Sequence, residues 1–106
     1  MSYNEMFPAK NPLAAESYDF EFGDQLLFGE TITGATVVAS VFTGEDPTPS
    51  NIISGTPTIS GTKISQLIID GVDGVIYNLV AVANTSLSHV YSKSATLAIV
   101  NQTTAY

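Results

Sequence analysis

Hydrophobic and polar positions alternate in short bursts along this chain. In "SYDFEF" (17–22), Tyr18, Phe20 and Phe22 take one parity and Asp19 and Glu21 the other, the period of two that a half-buried strand requires. Further segments of strand character are "ETITGATVVASVF" (30–42), "NIISGTPTIS" (51–60), "TKISQLIID" (62–70), "VIYNLVAVAN" (75–84) and "YSKSATLAIVN" (91–101). Turn signals part them: Gly23-Asp24, the run from Gly44 to Pro49, Gly61, "DGVDG" (70–74) and "TSLSH" (85–89). No window carries helical periodicity beyond two turns. The loop "TGEDPTPSN" (43–51), with two acids and two prolines, reads as an exposed, stiff tip.

Turn signals every 8–12 residues predict a two-sheet β-sandwich. The immunoglobulin-like antiparallel version is favoured by one detail. Asp73 lies four residues before Tyr77, which opens the strand "YNLVAVAN". A tyrosine so placed ties its hydroxyl back to the backbone upstream, the tyrosine-corner arrangement. Leu79 stands where antibody domains carry a cysteine, so apolar packing replaces a disulfide there. Residues 1–15 differ from the rest. They hold Pro8 and Pro12 with scattered Tyr3, Met6, Phe7 and Leu13 and follow no period. They read as an extended N-terminal arm that lies on a neighbour. The expected division is an arm (1–15), a sandwich (16–102) and a short C-terminal tail (103–106).

Composition agrees with this outline. Leu, Ile, Val and Phe make up 30 of 106 residues and Ser plus Thr 23, a mixture suited to strands with a packed core. The net charge of −7, with Lys10, Lys63 and Lys93 as the only basic residues apart from one histidine, argues against a nucleic-acid or anionic-membrane partner. With no cysteine there is no disulfide framework, which fits synthesis in a reducing cytoplasm. The N-terminus lacks the basic and apolar regions of a signal peptide. The longest apolar runs, such as "LVAVA", are far short of a membrane span.

Candidate chemistry is sparse. "DGVDG" lacks the further acids of a calcium loop and reads as a tight turn. Glu16, Asp19, Glu21, Asp24 and Glu30 crowd fifteen residues, but carboxylate-pair catalysis also needs a cleft and a raised pKa; Asp19 and Glu21 read as the solvent side of a strand. His89 is the only histidine, and a Ser88-His89 neighbour pair is not a catalytic arrangement. Asn84-Thr85-Ser86 and Asn101-Gln102-Thr103 match the glycosylation acceptor, which matters only on a eukaryotic secretory route. Tyr18, Phe20, Phe22 and Phe28 could stack a sugar, yet three same-side rings on a first strand read as core. No catalytic, cofactor or metal residues are expected. The last two strands are more suggestive. Ile76, Val80 and Val82 form a second apolar parity beside Tyr77, Leu79, Ala81 and Ala83, and Ala98 and Val100 do the same in the following strand. Either these are surface valines of a central strand pair, or another subunit covers that face.

The stretch "KNPLAAESYDFEFGDQLLFGETITGATV" (10–37) resembles the opening of small immunoglobulin-like virion proteins of tailed bacteriophages. "SGTPTISGTKISQLIIDGVDGVIYNLV" (54–80) is similar to their Ser-Gly-Thr and Gly-x-x-Gly-x-x-Tyr series. Phe22 and Leu27 replace tryptophans usual in that family, and "TSLSHVYSK" replaces its Thr-Ser-x-Gly-Arg hairpin. The resemblance implies a structural virion protein, a tail-fibre adaptor or head–tail neck component made in the host cytoplasm and assembled in several copies. A capsid decoration protein and a carbohydrate- or cell-surface-binding module are the alternatives. Its partners would be other virion subunits, met through Phe7, Pro8 and Pro12 of the arm and Val80, Val82 and Val100 of the sheet.

Overall fold

The computed structural model describes the backbone of residues 4–101 and side chains from residue 6 onward. The expected tail at 103–106 lies outside the described residues. Seven strands form: β1 (Asn4–Met6), β2 (Glu16–Glu21), β3 (Ile32–Thr43), β4 (Ile53–Ser60), β5 (Lys63–Ile68), β6 (Ile76–Thr85) and β7 (Val90–Ala98), with one 3-10 turn at Pro49–Ile52. Six of these fall within a few residues of the segments marked by alternation and turn residues. β1 is the addition; its three residues are too few to show a period.

The strands make two sheets, ordered β1-β7-β6-β3 and β2-β5-β4. All pairings are antiparallel except β1 with β7. The molecule is thus an all-β sandwich, whose inner faces meet in one core. β6 shows the underlying pattern most cleanly. Tyr77, Leu79, Ala81 and Ala83 are fully buried, and the residues between them are half-buried or exposed. Across the core, Tyr18, Phe20 and Phe22 of the first predicted strand meet Ile64 and Ile68 of β5. Leu79 is fully buried and stands in the core as expected. Phe28 departs from its aromatic series. It lies in the β2–β3 loop, beyond the strand's alternation, and is wholly exposed.

Tyr77 makes the predicted tie. Its hydroxyl accepts from the Val72 backbone N–H at 3.0 Å and donates to Asp46 Oδ2 at 2.6 Å. The second bond pins the β3–β4 loop, where Asp46 also accepts from Thr48 N–H at 2.9 Å. The "DGVDG" stretch turns tightly, with Gly71 at φ 104°. A Cβ there would lie 2.8 Å from the Ile99 side chain, so both backbone and space demand glycine.

The N-terminal segment runs along the edge of this chain's own four-stranded sheet. β1 pairs with Ser94–Thr96, Phe7 N–H donates to Thr96 O, and Lys10 N–H to Ala98 O. The Phe7 ring sits 4.9 Å from Tyr18 and 5.3 Å from Phe20, edge-on to the latter. Lys10 is fully buried, and its ammonium donates to the carbonyls of Asp70 at 2.6 Å and Asn11 at 2.9 Å. Desolvation lowers its pKa, partly countered by the charges of Asp70 and Glu16. Main-chain carbonyls thus supply the compensation that a buried ammonium needs.

Candidate interaction surface

The two outer faces of the sandwich differ in charge. On the three-stranded sheet, Asp19, Glu21 and Lys63 point outward, opposite the inward Tyr18, Phe20 and Ile64. Asp19 accepts from Ser65 at 2.5 Å and lies 3.6 Å from the Lys63 ammonium. Glu21 accepts from the Thr62 hydroxyl and Gly23 N–H, which lower its pKa. This is the solvent side expected of Asp19 and Glu21, tied down by ordinary cross-strand bonds.

The outer face of the four-stranded sheet has no ionisable side chain among its described residues. β6 contributes Ile76, Asn78, Val80, Val82 and Asn84, the parity opposite its buried positions. Register places Val80 between Val38 of β3 and Ser94 of β7, and Val82 between Thr36 and Ser92. Asn78 lies between Ser40 and Thr96. Met6 of β1, beside Thr96, is exposed at the free edge. Although the chain carries a net charge of −7, this face presents mainly neutral Val, Ser, Thr and Asn side chains.

The residues expected to contact partners therefore divide. Val80 and Val82 lie together at the middle of this face, half-buried by their own neighbours. Val100 is exposed but belongs elsewhere. Its N–H donates to Lys10 O beyond the end of β7, six residues past Ser94, or about 20 Å along a strand. Phe7 is half-buried in its own core. Pro8 is exposed beside it, and Pro12 is half-buried in the turn closed by Ala14 N–H on Asn11 O. Of the three arm residues expected to contact a partner, Pro8 alone is exposed.

A second feature joins the β2–β3 loop to the β6–β7 hairpin. The Glu30 side chain has no solvent exposure. It accepts from Leu27 N–H at 2.8 Å, from the Thr85 hydroxyl and from Tyr91 OH at 3.3 Å, and lies 2.9 Å from His89 Nδ1, which places the imidazole proton there. Burial pushes this carboxyl up. The bonds from Leu27, Thr85 and His89 outweigh it and hold the pKa at about 2. Tyr91, facing the same carboxylate, is raised by burial and by the Glu30 charge. Ser86 adds two bonds to Thr31 across the junction. The acid run thus comes apart: Glu30 is a structural hub, and Asp24 instead pairs with Lys93 at 3.1 Å. Neither role is visible in the local spacing, because Thr85, His89 and Tyr91 for Glu30 and Lys93 for Asp24 are all more than fifty residues away.

No protein-family model matches the chain, and a search of curated proteins returns no match.

Proposed function

We propose that this chain is an immunoglobulin-like structural protein of a tailed-phage virion, a connector or adaptor that binds neighbouring virion subunits. The observation that carries the binding half of this reading is the charge-free outer face centred on Val80 and Val82. Such faces gain from being covered, since their apolar area leaves water without desolvating a charge. The immunoglobulin-like half is supported by the strand order. β3, β6 and β7 take the places of strands C, F and G, and β2, β5 and β4 those of B, E and D, with Tyr77 tied at the corner. The phage assignment rests on the resemblance of residues 10–37 and 54–80. The sugar-platform alternative has lost three of its four rings, Tyr18, Phe20 and Phe22, to the core.

Expression of a chain carrying Val80→Asp and Val82→Asp during phage growth tests this. Both side chains point away from the core, so folding should survive, as circular dichroism will show. Wild-type chain should be found in purified particles by mass spectrometry, and the folded variant should be depleted from them. Equal incorporation of both, or particles complete without the chain, would overturn the proposal.

A further inference from the structure

We infer that residues 4–10 form an exchangeable strap: where copies of this chain are crowded together, the strap leaves the edge of its own sheet and takes the same seat on a second copy. The inference concerns the arm and not the Val80–Val82 face, and it does not depend on the proposed function.

The seat identifies its occupant. It consists of the edge of β7 from Ser94 to Ala98, the Tyr18 and Phe20 rings and the carbonyl of Asp70. All of these groups lie beyond the turn at residues 11–14, in the body of the sandwich. Each copy therefore carries a complete socket. Residues 4–10 of another copy meet it with the same ladder, the same Phe7 ring contacts and the same Lys10 bond to Asp70. The strap brings no excess charge, since Glu5 and Lys10 are its only charged side chains. In trans, the Lys10 ammonium arrives beside Asp70 and Glu16, whose charges favour its protonated form.

The strap is also separable. β1 is three residues long, parallel, and at the end of its sheet, where pairing is weakest. The turn that returns the chain to β2 is closed by two bonds, Ala14 N–H to Asn11 O and Leu13 N–H to Asn11 Oδ1, both 2.9 Å. Straightening it gives up these two modest bonds. Fully extended, residues 11–15 place Lys10 about 20 Å from Glu16, close to the 22 Å width of the sandwich. The strap thus reaches a copy lying alongside, and two copies that trade straps form a closed pair. Because the seated contacts are the same in cis and in trans, the balance is set by protein concentration against an effective concentration in the millimolar range. Dilute chains hold their own straps; packed copies trade them. The −7 carried by each copy opposes the approach, so salt favours exchange.

Disulfide trapping in the full chain tests this, because the sequence has no cysteine of its own. Met6 and Thr96 are partners in the parallel ladder, at a spacing of about 4.8 Å that a disulfide accepts. Thr96 is 8% exposed, so a thiol there is reached by a strap seated beside it and not by passing chains. A chain carrying both Met6→Cys and Thr96→Cys should close an internal disulfide in dilute solution. Chains carrying one each, mixed at about 1 mM in about 0.5 M NaCl with a glutathione buffer, should form a mixed-disulfide dimer, and at about 10 µM at least about tenfold less of it. Adding Phe7→Asp to the Met6→Cys chain removes the ring that seats the strap and should cut the mixed dimer at least about fivefold. The pair Asn4→Cys and Ser94→Cys, from the same ladder, serves if circular dichroism shows the first pair unfolded. No mixed dimer at the higher concentration, while the double variant closes internally, overturns the inference. So does a mixed dimer that Phe7→Asp leaves undiminished, which would mark collision and not seating. Either result leaves the Val80–Val82 face, and the function proposed from it, standing.

Discussion

Replacing Tyr77 by Phe removes one oxygen and leaves the ring in place, which isolates what the hydroxyl does. Two bonds disappear: acceptance from Val72 N–H at 3.0 Å and donation to Asp46 at 2.6 Å. The ring itself is fully buried, so no cavity beyond one oxygen is made. Val72 lies in an exposed turn, where water can reach its freed N–H. The cost is then that of two modest bonds, about 1.5–2.5 kcal/mol. In a domain of this size that lowers the melting temperature by roughly 6–15 °C. There is also a signature in pH. The Tyr77 hydrogen bond is the largest cause of the lowered Asp46 pKa. A carboxyl whose folded pKa is depressed adds stability above its unfolded pKa and loses it as pH falls through the folded one. Tyr77→Phe should therefore flatten the acid side of the stability curve as well as lower it. Thermal melts by circular dichroism from neutral pH down to about pH 3 report both effects. A melting temperature within about 1 °C of wild type, or an unchanged acid slope, would refute the assignment of this hydroxyl as the tie between the two loops.

Other consequences are as direct. Phe7→Ala strips a half-buried ring from contact with Tyr18 and Phe20 and should cost about 2–3 kcal/mol in urea unfolding, whereas Pro8→Ala, at an exposed site, should cost little; equal effects would show that the N-terminal segment does not pack on its own sheet. Glu30, held at about 2, contributes stability above the ordinary carboxylate pKa that disappears as pH falls toward 2. Glu30→Gln should lower the melting temperature at neutral pH and shrink its drop in acid, and a variant as acid-sensitive as wild type would show that another group controls that limb.

Much of the fold was legible because a strand's face is a local property. Alternation in 17–22 announces which of Tyr18 and Asp19 faces inward wherever β2 ends up pairing, and Val72 and Tyr77 are close enough in sequence for the tie between them to be read directly, whereas the bond to Asp46 is not. Other features need partners that local pattern does not name. β1 is three residues long, and only the free edge of β7 makes a strand of it. Phe7 read as a docking residue because nothing in residues 1–15 shows that a gap between Tyr18 and Phe20 awaits a ring. Lys10 and Glu30 look like surface charges until the carbonyl of Asp70 and the hydroxyl of Thr85 are brought to them from sixty and fifty-five residues away.

The sequence alone determined six of the seven strands, the buried parity of β2 and the neutrality of the second parity of β6, since all three follow from side-chain types at a period of two. The tertiary structure decided which strands lie side by side, and so turned scattered Val, Ser and Thr residues into one continuous uncharged face. The difference is physical. Side-chain alternation is set by the geometry of a single extended chain, while a surface is made by strand pairing across long loops.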